Sequence, residues 1–231
     1  MQTASLFFTA LAPFALWFLC RRCPQARVGA RRSLALILLL FETGELAEKF
    51  FGGEGLANYL PMHLCDWVLL AISAALWWDW RLGFELGYFW GLAGTTQAML
   101  TPALPSSIPW WRTFVFFFVH ALIVVSVLHL VLTEKMRPRW ASLGRVFLCS
   151  EFYVAAALLV NWLVDGNYGF LAHRPVQATL LDHFSDTHWL YVLQINALAF
   201  LLFPLLYLPW FFGDLWMGRQ APAATGAGSA P

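Results

Sequence analysis

Seven apolar runs, each close to the length of a membrane-crossing helix, constrain this chain more than any other feature. They cover 4–20, 33–51, 59–78, 82–100, 113–132, 143–164 and 189–212. Roughly 20 helical residues cross the hydrocarbon core of a bilayer, so seven crossings use nearly all of the 231 residues. Lipid satisfies no backbone hydrogen bonds, and the alternating pattern of an outer-membrane barrel is missing, so the runs read as helices. Only 12% of the residues are charged and 60% are hydrophobic, whereas a soluble domain carries about 25% charge. That balance excludes an ordinary soluble enzyme, a disordered chain and a disulfide-stapled secreted module. The net charge of +1 provides no basic field for nucleic acid. The expected fold is all-α: one polytopic domain over 1–219, a bundle of seven transmembrane helices. The segment 220–231, all Gln, Ala, Gly, Pro, Ser and Thr, lacks the apolar bulk to pack and is expected to be a disordered tail.

The first run is read as a span and not as a signal peptide, because Arg21 and Arg22 follow it and no positive residue precedes it. The basic residues orient the rest. Arg21, Arg22, Arg27, Arg31 and Arg32 fall between runs one and two, and Lys135, Arg137, Arg139 and Arg145 around the connection between five and six. In a seven-span chain both connections share a side with Arg81 and Arg219. Only Lys49, Arg112 and Arg174 of the 14 Lys and Arg lie opposite. The Arg-rich side is expected to be cytoplasmic, with the N-terminus outside, the C-terminus inside, and the protein in the cell membrane.

With that orientation, polar residues gather in the outer third of the spans. They are Glu45 and Glu48 on span two, His63, Cys65 and Asp66 on three, Thr95, Thr96 and Gln97 on four, His120 on five, Asn161 on six, and Tyr191, Gln194 and Asn196 on seven. The inner halves hold much less, chiefly Glu151 and Ser126. Ionisable groups within a membrane are costly and tend to face a bundle interior or cavity where they serve a function, so the pattern points to a polar pocket opening outward. Individually, the same residues fit headgroup contacts or interhelical hydrogen bonds. Cys65 and His120 bring reactive chemistry. Cys65 lies six residues from Tyr59, roughly 9 Å, and His120 eight from Arg112, roughly 12 Å, at 1.5 Å per residue. Similar depths on spans three and five permit contact. An imidazole at hydrogen-bond reach takes the proton of a thiol as it attacks a carbonyl. Asp66 and His63 share a face, which makes Asp66 a candidate for orienting a histidine or closing the polar wall. Cys20, Cys23 and Cys149 have no histidine at their depth. Asn167 and Tyr168, after span six, either shape the pocket mouth or turn the chain.

The runs Pro61-Met62-His63-Leu64-Cys65-Asp66 and Trp90-Gly91-Leu92-Ala93-Gly94-Thr95-Thr96-Gln97-Ala98-Met99-Leu100-Thr101-Pro102 are followed in order by His120 and Asn167-Tyr168-Gly169-Phe170-Leu171. Arg174-Pro175 and Leu180-Leu181-Asp182 complete a pattern that resembles the YwaF family of integral membrane proteins, related to mammalian transmembrane protein 164. The chain departs from that family after Asp182, where 183–189 replaces a Gly- and Pro-containing turn. The resemblance implies a phospholipid acyltransferase working through a Cys65 acyl-thioester with His120 as base, and no cofactor. Gln97, Thr95 or Thr96, and Asn161 are candidate donors to the oxyanion. An outward pocket has no acyl-CoA or ATP, so the implied partners are a phospholipid acyl donor and a lysophospholipid acceptor in the lipid bilayer. Water as acceptor would make the same pair a lipid hydrolase. A transporter or proton-coupled protein using Glu45, Asp66 and His120 stays open, though no repeat or broken-helix pair supports it. A metal site from His63, His120, His173 and Asp66 lacks a metal-binding motif.

Overall fold

Proline and glycine divide the apolar runs more finely than their lengths predict. The computed structural model describes residues 1–105 and 107–220, and among them there are helices and loops but no strand. Helix α1 spans Gln2–Arg22 and α2 Ala26–Phe51. Pro61 then breaks the third run. A residue before proline is driven out of the helical region, and Leu60 and His63 are extended, with ψ of 144° and 153°. In place of one helix over 59–78 there is a single turn, α3 (Leu56–Tyr59), followed by α4 (Leu64–Trp78). Cys65 therefore sits in the first turn of α4 and not six residues inside a longer helix.

The fourth run is one rod in three parts: α5 (Arg81–Leu86), a π-helix (Gly87–Thr95) and α6 (Thr96–Leu100). Small residues let neighbouring helices approach it closely. A Cβ on Gly87 would lie 2.6 Å from Ile72 Cδ1 of α4, and one on Gly91 would lie 3.3 Å from Ile123 Cγ2. Then come α7 (Trp110–Leu132), α8 (Trp140–Val164) and α9 (His188–Gln220), which runs unbroken through Pro204 and Pro209. The α8–α9 connection contains 3₁₀ turns at Tyr168–Phe170 and Leu180–His183. Of the expected tail, Gln220 is the last residue of α9 and 221–231 lie outside the described residues.

Leaving out the single turn α3 and counting α5, the π-helix and α6 once, the described residues form seven rods that alternate in direction. At one end Arg31 of α2 pairs with Asp79 after α4 (2.7 Å), Arg145 of α8 with Glu85 of α5 (2.6 Å), and Arg137 with Asp214 of α9 (2.5 Å). At the other, Gln2 of α1 donates to the carbonyls of Met99 and Leu100 (3.0 Å each), and Arg112 of α7 pairs with Glu48 of α2. Helix α7 is the buried centre, packed on α4 and the π-helix through Ile72, Phe89, Ile123 and Val127. Helices α1 and α9 are peripheral and expose Phe7, Leu11, Phe14, Phe200 and Leu201. Apolar exposure on that scale belongs in lipid. Helices α1, α7, α8 and α9 are each long and apolar enough to cross a membrane, and the protein is an integral membrane protein. Charge at Glu42, Glu45, Glu48 and Lys49 sets α2 apart from these four, and α4 has only 15 residues.

The Arg-rich end is more polar inside than the sequence implies. Glu85 is fully buried and accepts from Ser142 (2.7 Å) and Arg145 (2.8 Å), while His129 is fully buried beside Glu134. Glu151, expected to be a principal polar group there, is exposed instead. Glu85 escaped notice because, four residues after Arg81, it reads as an ordinary helix-end ion pair.

Candidate functional site

A cavity of about 890 Å³ lies between α2, α4, the π-helix and α6, α7, α9 and the α8–α9 connection. Exposure of its wall gives it direction. Glu45, Glu48 and Arg112 have side chains 47%, 33% and 39% exposed and mark the mouth. Leu69, Trp90 and Phe203, at 1%, 3% and 3%, form its most buried wall. Cys65 and His120 line the same cavity.

Local structure sets the geometry of each group. The break at Pro61 starts α4 at Leu64, and Asp66 closes that start: its Oδ2 accepts the backbone N–H of His63 at 2.8 Å. Its Oδ1 lies 3.6 Å from Cys65 Sγ, which donates to it. The thiol and carboxylate thus reach one space although they are sequence neighbours. The first N–H groups of a helix have no intrahelical acceptor, so those of Leu64 and Cys65 are further candidate donors to an oxyanion at the sulfur. On α7, His120 Nδ1 lies 2.7 Å from the Phe116 carbonyl. A carbonyl only accepts, so Nδ1 carries the hydrogen and Nε2 of the neutral ring keeps its lone pair. The Phe116 ring lies against the imidazole with centroids 4.1 Å apart. A thiol, a neutral imidazole and a carboxylate therefore line one cavity.

Of the residues singled out in the sequence, Glu45, Glu48, His63, Cys65, Asp66, Gln97 and His120 line the cavity. Gln97 is held by a bond from its amide to Thr101 Oγ1 (2.8 Å). Thr95, Thr96, Asn161, Asn167 and Tyr168 are not in the wall. Asn161, buried, donates to the Tyr168 carbonyl (3.0 Å) and accepts its N–H (2.7 Å). The Tyr168 hydroxyl donates to Leu56 O (2.6 Å) and accepts from Leu60 N–H (2.9 Å), which ties the connection to the α3–α4 break. Asn167 Oδ1 accepts from Ala172 and His173 N–H (3.0 and 3.1 Å). Tyr191 donates to Phe170 O (2.8 Å), and Gln194 accepts from Ser185 N–H (2.6 Å). These residues shape the loop and not the wall. His173 is exposed in that loop, and among the described residues no three His, Cys, Asp or Glu converge on a possible metal position.

Three wall residues were not selected from the sequence. Glu42 is buried one turn from Glu45, and Lys49, counted only for orientation, pairs with Glu45 at 2.7 Å. Arg112, likewise counted only for charge, bridges Glu48 and Glu54 across the mouth. The spacing of Glu42, Glu45 and Lys49 on one helical face carries that signal. From the connection, Thr179, Leu180 and Leu181 cover the cavity, and no periodic pattern announces them.

The TMEM164 family model matches residues 1–207, most of the chain, and the protein belongs to that family. No curated protein and no solved structure matches it.

Proposed function

We propose that this member of the TMEM164 family is a seven-span phospholipid acyltransferase of the cell membrane, with its N-terminus outside and its C-terminus cytoplasmic. Cys65 carries the acyl group and His120 is the general base. In the first step the thiol proton passes to His120 Nε2 as sulfur attacks the ester carbonyl of a phospholipid. The ester C–O bond breaks, the leaving oxygen takes the proton from the imidazolium, and a lysophospholipid departs from the thioester. In the second step an acceptor hydroxyl gives its proton to His120 and attacks the thioester; the C–S bond breaks and the sulfur recovers the proton. Gln97, which lines the cavity, and the first N–H groups of α4 serve the oxyanion in this reading. Asp66 is a positioning residue that holds the α4 start and the thiol.

The observation that carries this reading is the fixed His120 tautomer: the Phe116 carbonyl occupies Nδ1 and leaves Nε2 as a base in the cavity that Cys65 lines. The test is mass spectrometry of the intact protein and of membrane lipids from cells making wild type, Cys65→Ala, Cys149→Ala and His120→Ala. An acyl mass on Cys65 is expected in wild type and Cys149→Ala and absent from Cys65→Ala. Loss of a general base lowers the rate about 10²–10⁴-fold, so His120→Ala should acylate far more slowly. No acyl mass in wild type, with lipid profiles identical across all four, would overturn the reading.

A further inference from the structure

The cavity wall is not uniformly polar. Charged side chains crowd the mouth and reach in as far as the buried Glu42, whereas Leu69, Trp90, Ala199, Leu202 and Phe203 form a stretch of wall with no charged group among them. We propose that this stretch is an acyl-chain lobe and that Trp90 and Phe203 set the longest chain Cys65 accepts, an inference that rests on the acyltransferase reading. The occupant follows from polarity. A phosphate or ammonium placed against these side chains would be desolvated without a partner, while a hydrocarbon chain on Cys65 runs directly onto them. The cavity volume of about 890 Å³ is within the range of single small-molecule pockets, about 300–1,000 Å³.

This stretch of wall is held stiffly. Trp90 Nε1 donates to Ser150 Oγ at 2.8 Å, and that hydroxyl donates to the Val146 carbonyl at 2.8 Å. Phe203 is wedged between Phe89 and Phe147, with ring centroids 5.5 and 5.2 Å away. Along α9 the wall extends from Ile195 to Phe203, about 12 Å at 1.5 Å per residue. A chain lying along that wall meets the Phe203 ring at its end. One methylene in a close-fitting apolar pocket changes selectivity by about 10–200-fold, so a rigid wall discriminates between chain lengths.

The test uses the full chain in vesicles of phosphatidylcholines with graded acyl lengths in equal proportion, and reads the acyl masses on Cys65. Phe203→Ala is expected to shift the bound chains longer, with Phe203→Leu shifting them less in the same direction. Ala199→Phe, which fills the lobe, is expected to shift them shorter. About a tenfold change in the long-to-short ratio is expected for each of the two larger alterations. General damage to the fold lowers all adducts together and does not produce opposite shifts. If wild type is acylated and all three variants keep its distribution, the lobe assignment falls and the acyltransferase reading stands. If wild type carries no acyl mass, both fall.

Discussion

The side-chain amide of Asn161 closes two hydrogen bonds with the backbone of Tyr168, while the Tyr168 hydroxyl closes two more with Leu56 and Leu60. These contacts fold the α8–α9 connection onto the break that begins α4, so they act on Cys65 without touching it. Asn161→Ala leaves the Tyr168 N–H unpaired, while the Tyr168 carbonyl keeps the Leu171 N–H at 3.3 Å. At about 1–3 kcal/mol for one unsatisfied buried group, it should destabilise the protein by about 1–3 kcal/mol, read as a lower thermal unfolding midpoint in detergent. An unchanged midpoint would remove the pinning role. That Cys65 and His120 share one end of the bundle was legible in the sequence and both line one cavity, but the helical count from Tyr59 to Cys65 was not a true depth, because the chain is broken at Pro61 and α4 begins at Leu64. The loop role of Asn161 was not legible, because a polar residue near a helix end is equally compatible with lining a pocket. Glu42 was passed over for a related reason: a carboxylate one turn nearer the hydrophobic centre than Glu45 declares its direction only when α2 is packed.

Packing decides which glycines matter within an element. Gly87 lies where the π-helix meets α4, and a Cβ there would stand 2.6 Å from Ile72 Cδ1, whereas around Gly144 of α8 nothing comes within 4 Å. Gly87→Ala should therefore cost about 1–3 kcal/mol through overpacking. Gly144→Ala should instead stabilise by about 0.5–1 kcal/mol, because alanine is the better helix former. Comparing the two unfolding midpoints checks both signs. At this scale the π-helix was not legible, since hydrophobicity alone does not distinguish π from α winding. The break at Pro61 carried a local signal in the residue before proline, which the continuous apolar run concealed.

Across the whole molecule, run lengths and Arg positions made the all-helical membrane architecture legible. The inward-facing polar groups at the Arg-rich end escaped because helices with so many buried apolar residues gave no clear face. The proposed orientation has a direct test in thiol accessibility. Cys23 is exposed next to Arg21 and Arg22, and Asp186, in the α8–α9 connection, has a side chain 98% exposed. In sealed cells a membrane-impermeant thiol reagent should label an Asp186→Cys variant and reach Cys23 only after the membrane is opened. Labelling of both from outside would contradict the alternation of the rods across a bilayer. The salt bridge between Arg112 and Glu48 belongs to the same scale because it joins α7 to α2 over the mouth. Arg112→Ala should loosen that join and raise the reactivity of Cys65 toward a small thiol reagent, and equal reactivity in the two proteins would dissociate the bridge from access.

The π-helix over Gly87–Thr95 also gives the chain a counting rule. A π-helix closes i→i+5 bonds and takes more residues per turn than the α-helices on either side of it, so a single-residue deletion in this segment would change the rotation of everything beyond it relative to the Arg-anchored end. Gln97 would swing out of the cavity and the amide on that wall would be replaced by whichever neighbour came round. Away from the close-packed glycines a substitution changes one side chain, but the number of residues in this rod is part of the site. Insertions and deletions should therefore be excluded from this segment more strictly than changes of side chain.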